Sequence, residues 1–170
     1  MAITRSAASI KKMNEQWSKA VGRAILAFGN IEWVTYQCLG LFPSDRIFES
    51  VVSLKFSSRV DLIVEILSGK NLPKKLFNKT KRLFKRAKDA AEVRNVLAHN
   101  PLRIGVYKDN DGKVVFRDEI QHYRKTNRVY DLKEVQHYGK VTERLEDEFM
   151  ELIGEIRKVL SSNKPLKPTP

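Results

Sequence analysis

The residues best suited to chemistry are an arginine and a histidine in one short segment. Arg94 and His99 are the two ends of the hexapeptide RNVLAH, which Asn100 and Pro101 follow. A guanidinium on the buried side of a helix needs a partner or a ligand, because an isolated buried charge is costly. An imidazole in the last turn of a helix suits proton transfer near neutral pH, since the helix dipole favours its cationic form. The pair is therefore a candidate site.

The hydrophobic pattern of the helix that carries this pair decides where Arg94 lies. Two apolar rows run along the helix, Leu76, Leu83, Ala90, Leu97 and Phe77, Phe84, Ala91, Ala98. The column between the rows consists of Thr80, Ala87 and Arg94. Arg94 is therefore expected on the side that faces the helical bundle. The chief candidate for its internal partner is Glu32, a lone charge in the apolar part of the first helix.

Apolar residues that recur at steps of three and four predict a mainly helical fold. The predicted helices cover about residues 11–42, one or two pieces within 45–68, a motif helix from 73 to 99, and a last helix that ends near 160. Asp131 and Glu134 form a capping-box pattern at the start of the last helix. Pro43 and Ser44 are expected to end the first helix, and Pro101 ends the motif helix.

A change of period before the last helix predicts two strands. Leu102, Ile104 and Val106 alternate with polar residues, and a DNDG turn follows at 109–112, so residues 102–124 are predicted to form a β-hairpin. The expected fold class is all-α, a helical bundle with this hairpin inserted before the last helix. We expect a flexible N-terminus over 1–10, one domain over 11–160, and a disordered tail over 161–170.

Composition and net charge indicate which kinds of binding partner to expect. The chain has 170 residues and a formal net charge of +12, which attracts polyanions such as nucleic acid. The single cysteine, Cys38, fits a reducing cytosol, and no signal peptide or membrane span is predicted. No glycine-rich phosphate loop, nucleophile elbow or Cys/His cluster occurs in the sequence, so we expect neither a cofactor nor a metal site. The predicted location is cytoplasmic, without membrane attachment.

A run of positive charge precedes the motif on the same helix. Between Lys70 and Lys88 the sequence has nine lysines and arginines and no acidic residue. Like charges four residues apart repel, so an ordinary solvated helix face usually mixes both signs. We predict that this run binds RNA phosphates. The candidate contacts are Lys74, Lys75, Lys81, Arg82, Lys85 and Lys88.

The motif and its helical setting together resemble a known superfamily. Arg94-Asn95 followed by Ala98-His99-Asn100, at the end of a long helix, is similar to the HEPN signature, Arg-x4–6-His with a polar residue after the arginine. The order of elements is similar too, across roughly residues 15–102, with FGNIEW at 28–33 in the first long helix. Pro101 stands where some HEPN members carry a tyrosine, so that variant is not inferred.

The resemblance implies a dimeric helical bundle in which two motifs meet in one cleft, and a metal-independent endoribonuclease of a toxin–antitoxin or defence system. Arg94 would stabilise the phosphorane charge, and His99 would move a proton to or from the 2′-hydroxyl or the leaving oxygen. Asn95 would orient the pocket, Glu32 would hold Arg94, and Asn100 belongs to the supporting set. The implied partners are RNA, a second copy of the chain, and an antitoxin or defence-system protein.

Two other interpretations stay open. A non-catalytic HEPN-like module would bind RNA or a partner protein and regulate it. A purely structural bundle would use Arg94 only to hold the fold together. The first helix is apolar over most of its circumference between Ala24 and Phe42, which predicts a two-fold contact with Trp33 and Tyr36 as candidate contact residues.

Overall fold

The described part of the chain is mostly helical, with a small antiparallel sheet before the last helix. A computed structural model describes residues 6–41, 51–125 and 128–162. Its helices are α1 Ala7–Leu39, α2 Phe56–Ser68, α3 Lys74–His99 and α4 Leu132–Ser162, and its strands are β1 Leu102–Lys108, β2 Val114–Gln121 and β3 Val129–Tyr130. The expected helical fold with a hairpin before the last helix is confirmed at this level.

Helix boundaries differ from the predicted ones by a few residues. Helix α1 begins at Ala7, so residues 7–10, expected to be flexible, are helical. Helix α4 extends to Ser162, two residues beyond the predicted end. The ends predicted from Pro43 and Ser44, and the tail from 163 onward, lie outside the described residues.

The start of α4 is fixed by the predicted capping box. The Glu134 backbone N–H donates to Asp131 Oδ1, and the Asp131 backbone N–H donates to Glu134 Oε2, both at 2.8 Å. Two helix-terminal donors are thus satisfied reciprocally, which fixes where the chain leaves the sheet and becomes helical.

The predicted hairpin is confirmed, and a third strand extends it. Strands β1 and β2 are antiparallel, with Leu102 opposite Ile120 and Lys108 opposite Val114. The turn between them uses Gly112 at a φ of 76°, a conformation in which a side chain would be strained. The short strand β3 pairs with the end of β2 and was not predicted, because two residues carry no periodic signal.

A buried carboxylate lies on one face of this sheet. Glu119 is 2% exposed, and its Oε1 accepts from Arg103 Nη2 at 2.8 Å while its Oε2 accepts from the Tyr107 hydroxyl. A Cβ atom at Gly105 would lie 2.6 Å from the Glu119 carboxyl and 2.6 Å from the Tyr107 ring. The sheet therefore needs glycine at position 105.

The described residues pack as two compact units, and each unit contains buried apolar residues. One draws on Met1–Phe28 and Glu92–Glu143, the other on Gly29–Ala91 and Arg144–Pro170. Buried residues of the first include Trp17, Ala24, Phe28, Leu97, Ile120 and Val135. Buried residues of the second include Ile31, Ile63, Leu83, Phe84, Phe149 and Leu152, with the rings of Phe84 and Phe149 5.0 Å apart. Among the described helices, none is both long and apolar enough to cross a membrane.

Candidate functional site

Arg94 lies on the expected column of α3. Ala87 and Thr80, one and two heptads earlier, are completely buried, whereas Arg94 is only partly buried. Its Cζ atom lies 4.8 Å from the centre of the Phe28 ring, a cation–π contact. Burial raises the pKa of the nearby Tyr138 phenol to about 12, and the positive charge of Arg94 acts in the opposite direction. The column thus ends in a cation whose side chain is partly exposed to solvent.

His99 is exposed in the last turn of α3. Five residues along an α-helix correspond to a rotation of about 140°, so Arg94 and His99 leave the helix in different directions. Asn95, next to Arg94, is exposed as well. The motif of one chain therefore presents a partly buried cation and an exposed imidazole on different sides of the same helix end.

Asn100 closes α3 and joins it to the sheet. Its backbone N–H and its side-chain Nδ2 both donate to the Val96 carbonyl, at 3.1 and 2.8 Å. Its Oδ1 accepts the backbone N–H of Tyr123 at 2.9 Å, which connects the helix end to the segment after β2. These bonds connect the helix end that carries His99 to the segment after β2.

Glu32 contacts Arg59, which was not among the predicted site residues. Its Oε1 accepts from Arg59 Nη2 at 3.2 Å. Arg59 is only 1% exposed, and it also donates to Thr35 Oγ1 at 2.7 Å and to the Tyr36 hydroxyl at 2.8 Å. The Leu54 carbonyl accepts another bond at 3.2 Å. The role of Glu32 in holding Arg94 stays a prediction.

The periodicity of α2 contained the signal for Arg59. The buried residues of this helix are Phe56, Arg59, Val60, Ile63 and Leu67. Arg59 follows Phe56 by three residues and precedes Ile63 by four, which places it on the buried face. Arg59 therefore lies on an apolar helix face, as Arg94 does in α3.

Three residues of the predicted basic run form ion pairs with carboxylates in the folded chain. Lys79 pairs with Glu155 at 2.7 Å, Arg86 pairs with Glu148 at 2.6 Å, and Lys88 pairs with Asp61. Arg86 lowers the pKa of Glu148 by hydrogen bonding, more strongly than burial raises it. An acid-free stretch of sequence is therefore not acid-free in space.

Five of the six predicted phosphate contacts have exposed side chains. The exposed candidates are Lys74, Lys75, Lys81, Arg82 and Lys85. Lys81 Nζ lies 5.0 Å from the centre of the Phe77 ring on the same helix. Among the six predicted phosphate contacts, Lys88 is the one whose charge is paired with a carboxylate of the described residues.

The two residues predicted for a dimer contact differ in the folded chain. Trp33 is 61% exposed, as a contact residue requires. Tyr36 is partly buried, and the Arg59 guanidinium lies 4.1 Å above its ring, so Tyr36 contributes to the interior of its own unit. Leu26, also on α1, is 72% exposed. The homodimer stays a prediction, with Trp33 as the better supported of the two contacts.

Comparisons with protein families, curated proteins and solved structures find no match. The HEPN interpretation therefore continues to depend on the motif residues and their helical setting. Within residues 6–41, 51–125 and 128–162, no three His, Cys, Asp or Glu side chains are grouped so that they could hold a metal ion.

Proposed function

We propose that the chain is a metal-independent endoribonuclease of the HEPN type, with Arg94 and His99 as its catalytic residues. The observation that carries the proposal is the position of Arg94. A cation occupies a bundle-facing column whose earlier members, Thr80 and Ala87, are completely buried, and it remains partly exposed beside an exposed Asn95. A partly exposed arginine at such a position can receive an anionic ligand.

The chemistry assigned to these residues is transfer of a phosphodiester within RNA. The 2′-oxygen forms a bond to phosphorus while the bond from phosphorus to the 5′-oxygen breaks, which leaves a 2′,3′-cyclic phosphate. One imidazole accepts the proton of the 2′-hydroxyl, and a protonated imidazole donates to the leaving 5′-oxygen. Arg94 stabilises the added negative charge of the phosphorane.

Two copies of the chain would supply both imidazoles. Because Arg94 and His99 leave α3 about 140° apart, one helix end does not direct both side chains to one phosphate. A two-fold arrangement would allow His99 of one protomer to face Arg94 of its partner across a shared cleft. This is the composite site that the HEPN resemblance implies.

The test is cleavage of a labelled RNA by wild-type protein and by His99→Ala, in buffer that contains a chelator. We expect wild-type cleavage to persist and to leave a cyclic phosphate, because the assigned chemistry uses only arginine and histidine. His99→Ala should lower the rate at least about a hundredfold. His137, an exposed histidine of α4, provides the matched control, and His137→Ala should cleave normally. Full activity of His99→Ala would refute the assignment.

A second candidate function is a non-catalytic RNA-binding module. The divergence of Arg94 and His99 within one chain favours it, since a monomer would then hold an anion without a proton donor beside it. In that case wild-type protein binds RNA and leaves it intact, in monomeric and in dimeric form alike. The cleavage assay above, run beside a binding assay on the same RNA, separates the two functions.

A further inference from the structure

A short segment after β2 holds an exposed aromatic ring beside the end of the motif helix. The Tyr123 side chain is 67% exposed, although large aromatic side chains usually bury most of their surface. The Tyr123 backbone N–H donates to Asn100 Oδ1 at 2.9 Å, and Asn100 directly follows His99. The ring therefore belongs to the same end of the molecule as the proposed catalytic histidine.

The surroundings of Tyr123 hold the ring in place. The His122 ring stacks on it, with centroids 5.6 Å apart and planes inclined by 11°. His122 Nδ1 in turn accepts the backbone N–H groups of Arg124 and Lys125, at 3.0 and 3.1 Å. The Arg124 guanidinium carbon lies 5.1 Å from the centre of the Tyr123 ring. An exposed ring with this many contacts loses little freedom when a flat ligand stacks on it.

The charge beside the ring is positive. Arg124 and Lys125 are adjacent in sequence, and both are exposed. A fixed aromatic face next to two cations is the combination that recognises single-stranded nucleic acid, where bases stack and phosphates pair with lysine or arginine. Double-stranded RNA offers no free base face, so the arrangement favours a single strand.

We propose that Tyr123 is a stacking platform for one base of single-stranded RNA and that Arg124 and Lys125 hold the neighbouring phosphates. This inference rests on the proposed function, because it assigns the substrate's conformation at the same site. Every base has a stacking face, so Tyr123 recognises an unpaired nucleotide without selecting its identity. The platform requires an unpaired nucleotide close to the scissile phosphate.

The experiment measures RNA affinity in a His99→Ala background, where the RNA stays intact. Fluorescence anisotropy gives Kd for a short single-stranded RNA and for the same strand with abasic sites. Tyr123→Ala and Tyr123→Leu should weaken binding of the intact strand about tenfold, while Tyr123→Phe stays near the parent value. On the abasic strand the parent should bind weakly, and Tyr123→Ala should cause no further loss. Phe116→Ala, which removes an exposed aromatic ring of β2, is the matched control.

The outcomes separate this inference from the function on which it rests. Equal Kd values for the parent and Tyr123→Ala on the intact strand would overturn the stacking platform alone. An equal loss on intact and abasic strands would overturn it as well, because the ring would then act without a base. If the parent binds neither strand, both the platform and RNA binding are refuted. Melting temperatures of all variants, expected to be equal, show that each protein is folded.

Discussion

Replacing Arg94 with alanine should abolish catalysis while leaving the protein folded. The cation–π contact with Phe28, 4.8 Å from guanidinium carbon to ring centre, contributes about 0.5–2 kcal/mol to the free energy of unfolding. Loss of the partly buried side chain as a whole should cost about 1–3 kcal/mol. In a chain of this size that lowers the melting temperature by roughly 2–12 °C.

This loss of stability is too small to mimic a loss of catalysis. A protein with a free energy of unfolding of about 5 kcal/mol that loses about 2 kcal/mol keeps about 99% of its molecules folded at 25 °C. Loss of transition-state stabilisation by Arg94 should instead cost at least about 2.7 kcal/mol in activation free energy, a hundredfold in rate. The two effects are therefore distinguishable in one variant.

The assay combines urea unfolding with single-turnover cleavage on the same samples of wild type, Arg94→Ala and Arg94→Lys. Arg94→Lys keeps the charge but loses the planar fork of donors, so its rate should fall between those of the other two. Arg144→Ala, at an exposed arginine of α4, is the control. Cleavage that falls only in proportion to the unfolded fraction would show that Arg94 is purely structural and would refute the catalytic role.

Three further predictions concern the basic run, the sheet and the assembly. Changing Lys81 and Lys85 together to Gln should lower the slope of log affinity against log salt concentration by about 1.4 for single-stranded RNA. Lys88→Gln should lower this slope less, because Lys88 is already paired with Asp61. Slopes equal to that of the wild type would exclude a phosphate contact. In urea unfolding, Gly105→Ala should destabilise by about 1–3 kcal/mol because its Cβ meets a buried carboxyl, whereas Gly22→Ala, in open space on α1, should stabilise by about 0.5–1 kcal/mol. Light scattering across a dilution series should show a dimer whose dissociation abolishes cleavage, and a fully active monomer would contradict the shared cleft.

The elements of the fold were predictable where periodicity is strong. Helix α4 has a continuous apolar seam and a capping box, and the start predicted for it agrees with the structure to within one residue. The hairpin followed from alternation around a DNDG turn. The short strand β3 was missed because pairing with the end of β2, and not its own pattern, makes it a strand.

Ion pairs between residues far apart in the sequence could not be predicted from local sequence patterns. Nothing local to the basic run indicates that Glu148 and Glu155, some sixty and more residues later, supply carboxylates to Arg86 and Lys79. The buried Glu119 is a similar case, since its partner Arg103 lies on the neighbouring strand. A charge run reports local composition, whereas the potential at a surface depends on every element packed beside it.

Two arginines on apolar helix faces differ in how much of their surface is exposed. Arg59 is 1% exposed, and its three guanidinium nitrogens donate to a hydroxyl, a carbonyl or a carboxylate within its own unit. Such a side chain offers nothing to substrate, because binding would first require those bonds to break. Arg94 occupies an equivalent place in the pattern of α3 but keeps part of its surface exposed, next to the exposed Asn95 and five residues before the exposed His99. The hydrogen bonds of Arg59 compensate for its desolvation. The proposed phosphate contact of Arg94 depends instead on the part of its surface that stays exposed.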